Sequence, residues 1–161
     1  MAAQDVAVTA VASLTDPAKL ATLKSSRAAN DRLLKCVYWL HDARSRGLAP
    51  GRVIGEAHKI SRHRPAHATL VREALLRNLE IAERLGCLTA PNLERMRHGK
   101  SPVITRGPYA GEPAEIDHII PVAVAPQLGN ELANLEMMPR TLNRRKGRKI
   151  GARQVAYAGK F

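Results

Sequence analysis

The interval between residues 100 and 114 constrains the fold more tightly than any other part of the chain. It carries Pro102, Gly107, Pro108, Gly111 and Pro113. Proline lacks the amide that a helix interior needs, and glycine loses the most backbone freedom on ordering. No regular element crosses such a stretch. It reads as a linker or an irregular approach, and it separates residues 1–99, where apolar residues recur at helical spacing, from residues 115–161, where short extended segments alternate with loops.

In the first region, Asp16-Pro17 offers a helix N-cap followed by a proline at the first helical position. Apolar residues at 20, 23, 33, 34, 37, 40 and 43 then follow until Gly47, which predicts one long amphipathic helix. A short helix is expected over residues 50–59. After Arg62-His63-Arg64-Pro65, the set Leu70, Ala74, Leu75, Leu79, Ile81, Ala82 and Leu85 marks a third helix, ended by Gly86. Thr89 caps a last short one, closed by Gly99. Residues 1–14 are Ala/Val-rich, but they contain Asp5 and lack a charged leading segment, so they do not read as a signal peptide. Ala2-Ala3-Gln4 would equally suit a mature N-terminus. No stretch approaches the roughly 18 apolar residues of a membrane span.

Cys36 and Cys87 fall in different helical segments, where they suit small buried apolar residues, or a disulfide if the protein is exported. The compartment stays open on this point: cytoplasmic by default, periplasmic or secreted if a signal peptide was removed and the pair is bridged. His63 and His67 are four apart, but Pro65 interrupts the turn between them and no acidic partner follows at zinc-protease spacing, so they read as a solvated basic surface. Tyr38 and Trp39 suit the helical core. Aromatic residues are 3% of the chain, too few for recognition of single strands by base stacking.

Beyond residue 114, alternation predicts a strand over residues 115–119 with Glu115 and Asp117 on one face and Ile116 and His118 on the other. A loop covers residues 121–129, residues 135–138 suit a returning strand, and Pro139 is placed to open a helix that carries Asn143. The fold class is α+β, mostly helical, with a β-hairpin against one helix. Along this segment run Asp117-His118, Asn134-Leu135 and Asn143-Arg144-Arg145-Lys146-Gly147. Cleavage of a phosphodiester needs an uncharged imidazole to take a proton from water and hard oxygen ligands to hold a divalent cation against the phosphate. Asp117, His118 and Asn143 offer those groups.

This ordered series resembles the HNH endonuclease family in its Asp-His, Asn, Asn form, over residues 106–150, about a third of the chain. The resemblance implies a C-terminal ββα-metal module in which His118 is the general base, Asp117 and Asn143 hold one Mg²⁺ or Mn²⁺, and Asn134 braces the loop and orients His118. The loop between His118 and Asn134 is slightly longer than in common members. Asn130 is therefore an alternative for the middle role, which Leu135 and the spacing to Asn143 assign to Asn134. Many members carry two Cys-x-x-Cys pairs for a structural zinc; the second pair would fall on Pro139 and Leu142, which cannot ligate, so no structural zinc is expected. Glu115 is placed to position Asp117, the metal or a basic side chain.

Charge agrees with a polyanionic partner. The net charge is +12 in 161 residues, and residues 139–161 hold eight Lys or Arg with no Asp or Glu. Two thirds of the net charge thus lies where the site is expected. Arg144, Arg145, Lys146 and Lys149 are the candidate phosphate clamps, fixing register without reading sequence. DNA is the expected substrate, RNA is not separated from it, the helical region is a scaffold or a DNA-positioning element, and oligomeric state is not legible. Two other classes fit the same residues: a non-cleaving nucleic-acid-binding module, and a toxin-like nuclease held by an immunity partner.

Overall fold

The structure, a computed structural model, describes residues 4–161. Its elements are α1 (Val6–Leu14), α2 (Pro17–Ala21), α3 (Ser26–Ser45), α4 (Pro50–Ser61), α5 (Pro65–Arg84), α6 (Ala90–Arg97), β1 (Ala114–His118), β2 (Leu135–Pro139), α7 (Arg140–Lys146) and α8 (Ala152–Ala158). The class is α+β and mostly helical, with one two-stranded antiparallel sheet. The expectation placed on Ala2-Ala3 lies outside the described residues.

Helix starts follow local chemistry. Ala7 N–H donates to Asp5 Oδ1 at 2.8 Å, Ala18 N–H to Asp16 Oδ1 at 2.9 Å, and Arg27 N–H to Ser25 Oγ at 3.2 Å; each satisfies an amide that the first turn leaves orphaned. Helical structure therefore begins at Val6, ahead of the Asp16 start read from periodicity, with Ala7, Val8, Val11 and Ala12 in the core. The single long helix expected from Asp16 is in fact two. Thr22 Oγ1 donates back to the Lys19 carbonyl and Ser25 caps a new start, the competition of short polar side chains with helical bonding that apolar periodicity does not register. The Leu23 carbonyl freed by this break accepts from Asn130 Nδ2 at 2.9 Å.

Residues 100–113 are irregular but packed. Asn92, buried on α6, exchanges two hydrogen bonds with the Val103 backbone (2.7 and 2.8 Å), and Ile104 is buried. One hydrophobic cluster runs through both halves of the chain, joining Leu33, Leu40, Ile54, Leu75 and Met96 to Ile104, Leu132, Leu135 and Met137. The hairpin is thus mounted directly on the helices. Its mounting point is Asn78 of α5, fully buried, which donates to the Leu135 carbonyl at 3.0 Å and accepts from Met137 N–H at 2.7 Å. These two bonds satisfy the outer edge of β2, which has no further strand to pair with.

Two sequence readings are decided here. Cys36 and Cys87 are small buried core residues as expected, and the alternative, a disulfide, is not formed, since both are free thiols; burial pushes them up to about 12 and about 11. The histidines, by contrast, are not a solvated surface. The rings of His58 and His63 lie 4.1 Å apart and those of His63 and His67 5.2 Å, while His67 Nε2 meets Glu131 Oε1 at 2.9 Å. The α4–α5 corner, closed by Arg62 at φ 54°, folds the three together.

This stack makes stability depend on acid. His58, 8% exposed, is pushed down to about 4 by burial, then by His63, His67 and Arg72. His63 is lowered by burial and then by His67, opposed by Glu131, Asp16 and a hydrogen bond with Thr15. A histidine that titrates lower in the folded state binds more protons unfolded, so its contribution is complete above the unfolded value near 6.5 and is lost as pH falls toward 4. From His58 alone the expected loss is roughly 3 kcal/mol. Urea denaturation at pH 8, 6 and 4.5 should show it, and His58→Leu should remove most of the slope between them; an unaltered slope in that variant would refute the assignment.

Candidate functional site

The hairpin pairs Asp117 with Glu136 and His118 with Leu135. After His118 the chain leaves the sheet for the loop that returns at β2, and Asn134 holds both ends of that loop. It is 0% exposed; its Nδ2 donates to the Ile120 carbonyl at 3.0 Å and its Oδ1 accepts from Ile120 N–H at 2.9 Å. Ile119 N–H donates to the Asn134 carbonyl at 2.8 Å. Asn134 does not reach His118. Its effect runs through the loop backbone, which presents the Gly129 carbonyl to His118 Nε2 at 3.0 Å. A carbonyl accepts only, so Nε2 carries the proton and Nδ1 keeps the lone pair. Asn134 is thus linked to His118 only through the loop backbone, and Nδ1 is the ring nitrogen left without this bond. Asn130 takes no part in this brace; it ties the loop to the α2–α3 break.

Helix α7 brings the third group. Its N-cap, Pro139, has no side chain to offer, and the cap comes instead from Glu112 in the irregular segment. Thr141 N–H donates to Glu112 Oε1 at 3.0 Å and Thr141 Oγ1 to Oε2 at 2.6 Å, which holds the Glu112 carboxyl below its usual range. Negative charge there also complements the helix dipole. Asn143, one turn in, donates Nδ2 to Glu115 Oε2 at 3.1 Å, while Arg140 Nε donates to Oε1 at 2.9 Å. Glu115 thus orients Asn143 and leaves that side chain its carbonyl oxygen.

Asp117 is buried. Burial raises its carboxyl above the ordinary carboxylate value, opposed by the Lys146 ammonium and by His118. Lys146 Nζ lies 2.8 Å from Asp117 Oδ2 and also donates to the His118 carbonyl at 2.9 Å. Oδ2 is buried, and the Lys146 ammonium is its close partner. The Asp117 carboxylate and the Asn143 carbonyl are the two hard oxygen donors here, and a metal ion would have to displace the Lys146 ammonium from Asp117. Among the described residues no group of three His, Cys, Asp or Glu side chains converges to hold a metal ion. An ion here would take two protein oxygens and complete its shell with water and substrate.

These groups line one cleft of about 420 Å³, bounded by Ile116, Asp117, His118, Pro121, Asn143 and Arg148. The expected phosphate clamps divide. Arg144, Arg145 and Lys149 are exposed. Lys146 is not a free clamp: its side chain is only 15% exposed and neutralises Asp117. Arg148 was missed, although it belongs to the same basic run. The turn at Gly147, φ 51° and ψ −129°, brings Arg148 to the cleft, and this conformation is one that side-chain-bearing residues avoid. Glu112 and Gly129 were also missed, because each acts through a contact far along the chain and neither has a local signal. The basic C-terminal segment is likewise not all free charge. Arg153 pairs with Glu136 at 2.7 Å and the Tyr157 hydroxyl donates to the Ala133 carbonyl, docking α8 behind the hairpin.

No family model matches the chain, and no curated protein or solved structure matches it either.

Proposed function

We propose that this chain is a metal-dependent DNA endonuclease of the HNH type, with a ββα-metal module formed by β1, β2 and α7. One observation carries the reading: His118, with its tautomer set so that Nδ1 is free, shares a single basic-rimmed cleft with the buried carboxylate of Asp117 and the amide of Asn143. His118 Nδ1 takes a proton from a water molecule as the water oxygen attacks phosphorus. The bond from phosphorus to the 3′ oxygen breaks, and solvent protonates the departing oxygen. A Mg²⁺ or Mn²⁺ held by Asp117 and Asn143 would supply positive charge to the phosphate and the leaving oxygen. Arg148 at the cleft and exposed Arg144, Arg145 and Lys149 supply backbone attraction without base readout.

The Lys146–Asp117 ion pair favours a second reading, a nucleic-acid-binding module of the same fold that does not cleave, because the ammonium occupies the side of the carboxylate that a cation needs. Supercoiled plasmid distinguishes them. With Mg²⁺ or Mn²⁺ the protein should convert it to nicked or linear DNA, lose that activity in EDTA, and regain it when the ion is restored, with helical content unchanged throughout. Binding to duplex without any conversion would leave the second reading.

A further inference from the structure

We propose that the DNA strand in the catalytic cleft continues over Ile116 into a second groove, between α3 and the end of α6, where Arg27 and Lys100 hold its phosphates. This inference rests on the nuclease reading and gives the helical region its part in it. The groove has a volume of about 430 Å³ and is lined by Arg27, Asn30, Leu34, His98, Lys100 and Ile116, with Asp31 its one acidic group. Ile116 lines both hollows, so the two adjoin at that residue.

The link is an open strand edge. Ala114 N–H donates outward to the Pro102 carbonyl at 2.9 Å, and the His118 carbonyl accepts from Lys146 on the same side. The two-residue period of an antiparallel strand points the Ile116 N–H and C=O the same way, between those two partners, toward the shared boundary. A free backbone N–H there is a phosphate donor of the kind that fixes register on nucleic acid.

The walls suit a phosphate backbone. Arg27 and Lys100 are exposed, and neither has a carboxylate partner among the described residues, unlike Arg140, Lys146 and Arg153 beside the first cleft. The approach of α6 to α3 is set by Gly99, at φ 75°, where a Cβ would stand 3.0 Å from Asp31 Cβ and 3.3 Å from Lys35 Cε. No Trp, Tyr or Phe lines the groove, so it offers charge without base stacking.

The test is the salt dependence of binding to a labelled 20-base-pair duplex in EDTA, comparing the wild type, Arg27→Ala/Lys100→Ala and Arg52→Ala. Arg52 is an exposed arginine on α4 outside both hollows. Each lost phosphate contact removes about 0.9 from the slope of log K against log salt. The double variant should therefore be shallower by about two and bind roughly tenfold more weakly, while Arg52→Ala keeps the wild-type slope. An unchanged slope in the double variant would overturn the proposal and leave the groove to an acidic peptide or to no ligand. An equal loss per charge in Arg52→Ala would overturn it too, as diffuse attraction. If the slope falls as expected but the wild type never cleaves plasmid, the groove stands and the cleavage reading fails; if the protein cleaves and the slope is unmoved, only the groove fails.

Discussion

His118→Ala is expected to lower the rate of plasmid cleavage by about 10² or more while duplex binding and helical content persist. The size follows from the geometry: with Nε2–H committed to the Gly129 carbonyl, Nδ1 is the one uncharged nitrogen base in the cleft, and no other histidine lines it. Three features separate a lost base from a disturbed loop. His118 is only partly buried, so its removal leaves a gap open to water. His118→Asn retains a donor toward Gly129 and should be as inactive as the alanine variant, and added imidazole should restore part of the rate to the alanine variant alone. Near wild-type cleavage by either variant would show that the proton goes elsewhere.

The second large effect is on stability. Asn134→Ala should destabilise the fold by roughly 3 kcal/mol, because it strands the buried Ile120 N–H and C=O together, at about 1–3 kcal/mol for each unsatisfied group. Leu128 O, 3.4 Å from Nδ2, loses a weaker partner. Urea denaturation measures this directly. Asn134→Asp keeps the acceptor for Ile120 N–H but replaces the donor with a buried charge, so it should be no better than the alanine variant at neutral pH and should recover as pH falls and the carboxyl protonates. A change below about 1 kcal/mol in the alanine variant would mean that the loop holds itself. Where the alanine variant is still folded, cleavage should drop as well, since the loop that presents Gly129 to His118 is no longer pinned.

Both predictions concern residues that were visible in the chain, but for reasons visible to different degrees. Asp117, His118 and Asn143 were legible as a set because few side-chain types suit the proposed chemistry, and the hairpin–helix spacing brings them to one cleft. Lys146 was legible as a cation and misread as a clamp. Which anion a lysine meets depends on the helix phase relative to β1, and charge composition carries no such information. The histidine stack failed in the same way: Pro65 does interrupt the turn between His63 and His67, yet the Arg62 corner folds the rings back together and Glu131 arrives from a loop 64 positions away.

The amino-acid sequence by itself determined the order and kind of most elements. Caps at Asp16 and Thr89, prolines at helix starts and periodic apolar residues are local signals, and local bonding satisfies them wherever the segment is placed. It also determined the ordered set Asp117, His118, Asn134 and Asn143. Tertiary structure alone decided that residues 100–113 carry the Glu112 cap of α7, that Asn78 closes the open edge of β2, that Gly129 sets the tautomer of His118, and that Ile116 separates two adjoining hollows. Each of these joins a polar atom to a partner many positions away, and its direction is fixed only when the shared core of helices and hairpin sets their distances.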